Sequence, residues 1–233
     1  MNTPVENKYM KKINGNNGFI AALDQSGGST PKALGLYGVG ESEYSNEQEM
    51  FKKVHEMRSR IVTSPSFTGD RILGAILFEK TMNLEVEGIG TPQYLWEEKE
   101  VIPFLKIDKG LENEKDGIQM MKPNPGIEGL LEQAIKKGIF GTKMRSVIKN
   151  TNENGVATIV KQQFEIAKII ISAGLVPIIE PEVDIHCEKK SEMETLLLKH
   201  LIENLNQLAS HQMVMLKLTL PEEHNLFSPC INH

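Results

Sequence analysis

The chain has 233 residues, 39% hydrophobic and 24% charged, a length and balance that allow one globular domain with a sizeable core. A formal net charge of −5 and a pI near 5.8 exclude a general electrostatic hold on nucleic acid, so any anionic ligand must meet locally gathered lysines or arginines. No basic segment leads into an apolar run near the start, and nowhere do about 18 apolar residues run together. Neither a signal peptide nor a membrane span is expected, and a cytoplasmic protein follows. Cys187 and Cys230 are too few, and in no metal spacing, for a disulfide framework or a zinc site.

In chain order, six short runs rich in Ile, Val and Leu stand out as strands: Gly18 to Asp24, Ile72 to Phe78, Val101 to Asp108, Ile139 to Arg145, Leu175 to Glu182 and Val214 to Leu220. Between them lie segments of helical periodicity, Glu47 to Arg60, Ile127 to Lys137, Val156 to Ala173 and Lys190 to Ser210. Ser45 and Asn46 stand before the first as caps, and Gly or Asn follows most of them as a stop signal. No short repeat or low-complexity segment interrupts this order, which predicts βα units around a parallel sheet.

The fold class expected is α/β, a (β/α)8 TIM-barrel type with only about six βα units present in a single domain spanning 1–233. A closed barrel has eight strands and about 250 residues. After Leu220 only PEEHNLFSPCINH remains, so residues 221–233 are expected to form an atypical tail and the barrel to stop short of closure.

Charged residues stand at or near the C-terminal end of five of the six runs: Asp24; Lys106 and Asp108; Lys143 and Arg145; Glu180 and Glu182; Lys217. In a barrel these ends converge on one face, so groups distant in sequence would meet in a cleft. Each alone is an ordinary first solvated position; five together, with lysines set in FLKID and MLKLT, predict a site. Lys217, flanked by Val214, Met215, Leu216 and Leu218, is expected to be desolvated and so to reach the neutral, nucleophilic form. Its attack on a ketone would give a carbinolamine, then a protonated imine that accepts electrons when an adjacent carbon–carbon bond breaks.

Proton transfers to and from oxygen need a carboxylate. Glu180 and Glu182, two apart in a strand and so on one face, are expected to share a pocket, with repulsion raising one pKa. The alternative for either is a structural partner of Lys143 or Arg145. The turn DQSGGSTPKAL after the first run places Ser26, Ser29 and small residues where backbone N–H groups could approach a phosphate, beside an Asp24 suited to a sugar hydroxyl proton. The six histidines are scattered, without H-x-H or H-x-x-x-H, which disfavours a zinc-dependent route.

Seven blocks in order, GFIAALDQSGGSTPKAL, RSRIVTSPSF, GAILFE, PFLKIDKGL, IFGTKMRS, GLVPIIEPEV and VMLKLT, resemble class I fructose-bisphosphate aldolase in its shorter bacterial form, from about Lys12 to Leu220. The resemblance implies reversible cleavage of fructose 1,6-bisphosphate to dihydroxyacetone phosphate and glyceraldehyde 3-phosphate in glycolysis and gluconeogenesis. No metal and no organic cofactor are implied; the partner is a phosphorylated sugar, and a homo-oligomer is left open. By position, Lys217 matches the Schiff-base lysine, Glu180 the proton acceptor and Asp24 the acid that assists cleavage. Lys143, Arg145 and Lys106 match substrate-contacting cations, and Ser26 and Ser29 match positions near a phosphate.

The family's later LSGG-type loop and a following phosphate-binding arginine have no counterpart here, so weaker phosphate binding and lower turnover than in a full-length relative are expected. Two other readings stand beside the aldolase. One is a non-catalytic truncated fragment, and the other a Schiff-base enzyme of transaldolase or deoxyribose-phosphate aldolase type.

Overall fold

The computed structural model describes residues 4–15, 17–26, 29–231 and 233, and side chains from residue 8 onward except at 29. Two compact units are present: Met1–Lys106 with Glu132–Gly141, and Ile107–Leu131 with Thr142–His233.

The first unit runs α1 (Pro4–Gly15), β1 (Phe19–Leu23), α2 (Ser29–Leu36), α3 (Glu47–Thr63), β2 (Ile72–Leu77), α4 (Glu79–Met82), β3 (Glu85–Val86), β4 (Ile89–Gly90), α5 (Thr91–Glu97) and β5 (Ile102–Lys106). Strands β1, β2 and β5 pair in parallel, with Ala21 opposite Ala75 and Ala75 opposite Pro103. In β2 and β5 nearly every Ile, Leu, Ala and Phe side chain is buried, as a strand covered on both faces requires, whereas β1 buries only Leu23 and leaves Phe19 58% exposed. Gly74 is needed in β2, because a Cβ there would stand 2.6 Å from the Phe104 ring. Phe104 meets Phe140 edge-to-face, and Tyr9 of α1 meets both Phe140 and Trp96 in the same way. The Tyr9 hydroxyl donates to Gly138 O, and burial pushes its phenol up to about 12, with the charge of Glu97 acting in the same direction.

The remaining elements are β6 (Ile118–Gln119), α6 (Ile127–Lys136), β7 (Gly141–Ile148), α7 (Glu153–Ser172), β8 (Val176–Val183), α8 (Lys190–Leu205), β9 (Met215–Leu216) and α9 (Ser228–Ile231). Strand β9 pairs in parallel with β8, and β6 antiparallel with the end of β7. Helix α7 lays Val156, Ile159, Val160, Phe164, Ala167 and Ile170 into the core, an i, i+3, i+4 stripe. Gly138 and Gly174, with φ of 77° and 88°, take the left-handed conformation just past α6 and α7.

All six expected strands and four expected helices form. Several boundaries differ from expectation. The run ending at Arg145 continues to Ile148, because the chain after it stays paired, with β6. The run Val214 to Leu220 yields only a two-residue ladder; beyond it Lys217 N–H donates to Ile179 O and Thr219 Oγ1 to Val183 O. The tail, which has no helical stripe, still contains the single turn α9, with none of its residues buried.

The N-cap expectation holds at Asn46, whose side-chain oxygen accepts from Glu49 N–H at 2.9 Å. Replacing Asn46 by Ala is expected to lower stability by about 1 kcal/mol, read from the urea midpoint. An unchanged midpoint would show that solvent replaces the cap without loss.

Candidate active site

Strands β7 and β8 place their inward charges two residues apart, Lys143 and Arg145 on one and Glu180 and Glu182 on the other, so each set shares a face. The pairs match rung for rung. Lys143 Nζ lies 2.9 Å from Glu180 Oε2, and Arg145 Nη1 donates to Glu182 Oε2 at 3.0 Å. The inner rung is buried, with side-chain exposures of 8% and 4%, whereas the outer rung is partly solvated at 41% and 32%.

The other oxygen of Glu180, Oε1, accepts a hydrogen bond from Lys217 Nζ. One buried carboxylate is therefore held between two ammonium groups. Burying a charge of this kind costs several kcal/mol unless counter-charges and hydrogen bonds surround it. Here the two lysines supply the counter-charges, and Gln163 of α7 holds the backbone behind the carboxylate. The Gln163 carboxamide accepts from Glu180 N–H at 2.9 Å and donates to Glu180 O at 2.8 Å and Ser146 Oγ at 3.1 Å. Backbone groups that a regular ladder would otherwise satisfy are bound here by a side chain, which fixes the point on β8 from which Glu180 projects.

Two sequence expectations change at this point. Lys217 is not enclosed by its apolar neighbours: its side chain is 46% exposed, since alternate strand residues face opposite ways and leave its tip beside Glu180 and solvent. Nor do the two EPE carboxylates share a pocket through repulsion. Each has its own cation, and Glu182 takes the partner role toward Arg145.

The segment that carries Lys217 is secured by a buried pair on α8. Lys190 and Glu194 bond to each other; Lys190 Nζ donates to Leu220 O at 2.8 Å, and Glu194 Oε2 accepts from Glu222 N–H at 3.0 Å. None of Gln163, Lys190 and Glu194 was singled out from the sequence. Their signal was present: Gln163 interrupts the apolar stripe of α7 at a core position, and Lys190 and Glu194 are an i, i+4 pair near the start of α8.

Of the other expected site residues, Asp24 closes β1 and is 8% exposed, Ser26 is half-buried in the loop that follows, and Lys106 is half-buried at the end of β5. Asp108 is buried and accepts from Gly110 N–H at 3.1 Å. Gly27, Gly28 and the side chain of Ser29 lie outside the described part of the chain.

A family model for class I fructose-bisphosphate aldolase matches residues 7–226. The chain belongs to that family. Over 226 residues it is 61% identical to fructose-bisphosphate aldolase class 1 of Synechocystis sp., a match covering 97% of this chain and 75% of that one. Its fold is shared with the Plasmodium falciparum fructose-bisphosphate aldolase solved in a complex with TRAP and a small-molecule inhibitor. The TM-score is 0.75 at 22% identity, over 96% of this chain and 67% of the other. That likeness identifies the strand–helix alternation as part of an aldolase-type (β/α)8 barrel. Among the described residues, no helix is long and apolar enough to cross a membrane.

If Gln163 positions Glu180, Gln163→Leu leaves a buried N–H and C=O unpaired. It is expected to cost about 1–3 kcal/mol in chemical denaturation, and to lower turnover further in protein that remains folded. Wild-type stability and rate in that variant would show that water or a shifted strand replaces the carboxamide.

Proposed function

We propose that this aldolase-family lyase cleaves fructose 1,6-bisphosphate reversibly to dihydroxyacetone phosphate and glyceraldehyde 3-phosphate, through an imine on Lys217. The observation that carries the reading is the Glu180 carboxylate bonded at once to Lys217 and Lys143. A lysine in contact with a proton acceptor and half open to solvent has both a route to the free amine and room for a substrate.

The steps follow from that contact. Lys217 gives a proton to Glu180, and the amine attacks the ketone carbon. The carbinolamine hydroxyl takes the proton back from Glu180 and leaves as water, which yields the iminium ion. Lys143 stands beside Glu180 throughout, so the carboxylate, whenever ionised, has a counter-charge within ion-pair distance. The iminium then accepts the electron pair of the breaking carbon–carbon bond while a base removes the proton of the sugar hydroxyl; the aldehyde departs and an enamine remains. Protonation of the enamine carbon and addition of water to the imine release dihydroxyacetone phosphate and regenerate the amine. Asp24 is the base the family resemblance supplies for the hydroxyl proton. The same resemblance gives Lys106 and Arg145 to substrate anions, together with Ser26 and Ser29. Glu182, by its bond to Arg145, orients that guanidinium.

Incubation with dihydroxyacetone phosphate followed by borohydride reduction is expected to add one reduced adduct per chain, mapped to Lys217. Lys217→Ala should remove it. An adduct that persists in that variant, or maps to another lysine in the unsubstituted chain, would refute the assignment.

A further inference from the structure

Arg58 is the least expected member of the core. It sits on α3 among Val54, Met57 and Val62 and is 2% exposed. An aliphatic residue would suit that face without the cost of a buried cation. Instead its Nη1 donates to Thr81 Oγ1 on α4 at 2.6 Å, and its Nη2 donates to Gln25 O at 2.6 Å. Gln25 directly follows Asp24. Arg58 thereby ties together the segments that leave the C-terminal ends of two paired parallel strands, β1 and β2. Burial pushes the guanidinium down to about 10, and the negative charge of Asp24 opposes that fall, so the two side chains act on each other electrostatically.

A planar fork with fixed donor directions suits this task better than a flexible ammonium would. One edge of the group must reach a hydroxyl and another a backbone carbonyl. The loop it holds also carries Gln25, whose side-chain amide donates to Ala22 O at 3.2 Å, a second tie back onto β1. Nothing in the imine chemistry of Lys217 and Glu180 calls on Arg58.

We propose that Arg58 is a positioning residue for the bond-cleavage step: it fixes the backbone immediately after Asp24 and contributes positive charge at that carboxylate. This rests on the reading of Asp24 as the group that takes the sugar hydroxyl proton. Imine formation calls on Lys217, Glu180 and Lys143 and not on Asp24 or Arg58, so the two stages separate experimentally.

The test compares fructose 1,6-bisphosphate cleavage with borohydride trapping by dihydroxyacetone phosphate, in the whole chain, for Arg58→Met, Arg58→Lys, Asp24→Asn and the Asp24→Asn/Arg58→Met pair. Arg58→Met is expected to lower cleavage kcat about 10–100-fold, with KM changed less than about 3-fold and the Lys217 adduct retained. Arg58→Lys, which keeps the charge but not the fork, should recover part of the rate. In the Asp24→Asn background, Arg58→Met should cost less than about 2-fold more, because its effect passes through Asp24. Multiplying losses in the double variant would overturn the proposal, as would loss of trapping in step with cleavage in folded protein, or an unchanged kcat. Should Arg58→Met not fold, Arg58→Lys carries the test: cleavage reduced with trapping intact supports the proposal, and wild-type cleavage overturns it. Absence of the adduct from the unsubstituted chain would instead overturn the imine reading, and this proposal with it.

Discussion

A carboxylate buried between two lysines sets the terms for the second unit. Glu180 is almost wholly removed from water, and its charge is tolerated only because Lys143 and Lys217 each bind one of its oxygens. Around that arrangement the chain places polar groups in an otherwise apolar interior: Gln163 grips the Glu180 backbone, and Ser146 occupies a fully buried strand position beside it. A network of this kind is costly when incomplete, so the positions of β7, β8 and α7 are constrained by the chemistry as much as by packing.

Lys217 presents the opposite problem. Its strand contributes only a two-residue ladder, too little to hold a reactive side chain by backbone bonds alone. The compensation comes from side chains that hold the chain after it. Thr219 bonds to Val183 O, and the buried Lys190–Glu194 pair binds Leu220 O and Glu222 N–H from the flank of α8. The tip of Lys217 stays half exposed while the segment behind it is fixed, the division needed by the nucleophile proposed here, which must both react and return to the same place.

Much of this was legible in the sequence because strands and charges obey simple periodicities. Apolar runs of seven or eight residues marked every principal strand, and the charge at the end of five of the six marked which end mattered. The spacing Lys-x-Arg on one strand and Glu-x-Glu on the other placed each pair on one face, though not the rung-by-rung matching that gives Glu182 to Arg145. The aldolase motifs supplied the roles. What the sequence did not disclose were long-range partners: Gln163, Lys190, Glu194 and Arg58 stand out locally only as polar groups on buried helix faces, and the atoms they bond lie 17 to 33 positions away, apart from the i, i+4 bond between Lys190 and Glu194 themselves. Short elements such as α4 and α9 were hidden for a related reason, since a single turn has no stripe to read.

The role proposed for Glu180 as proton carrier for Lys217 is read directly by exchange of the ketone oxygen of dihydroxyacetone phosphate with 18O-labelled water. Each passage through carbinolamine and imine replaces that oxygen, without any carbon–carbon bond being made or broken. The chain is expected to accelerate the exchange, and Glu180→Gln to slow it by about 100-fold or more while phosphate-ester binding persists. Exchange at the unsubstituted rate in Glu180→Gln would contradict that role, and would assign the proton transfer to another group or to water.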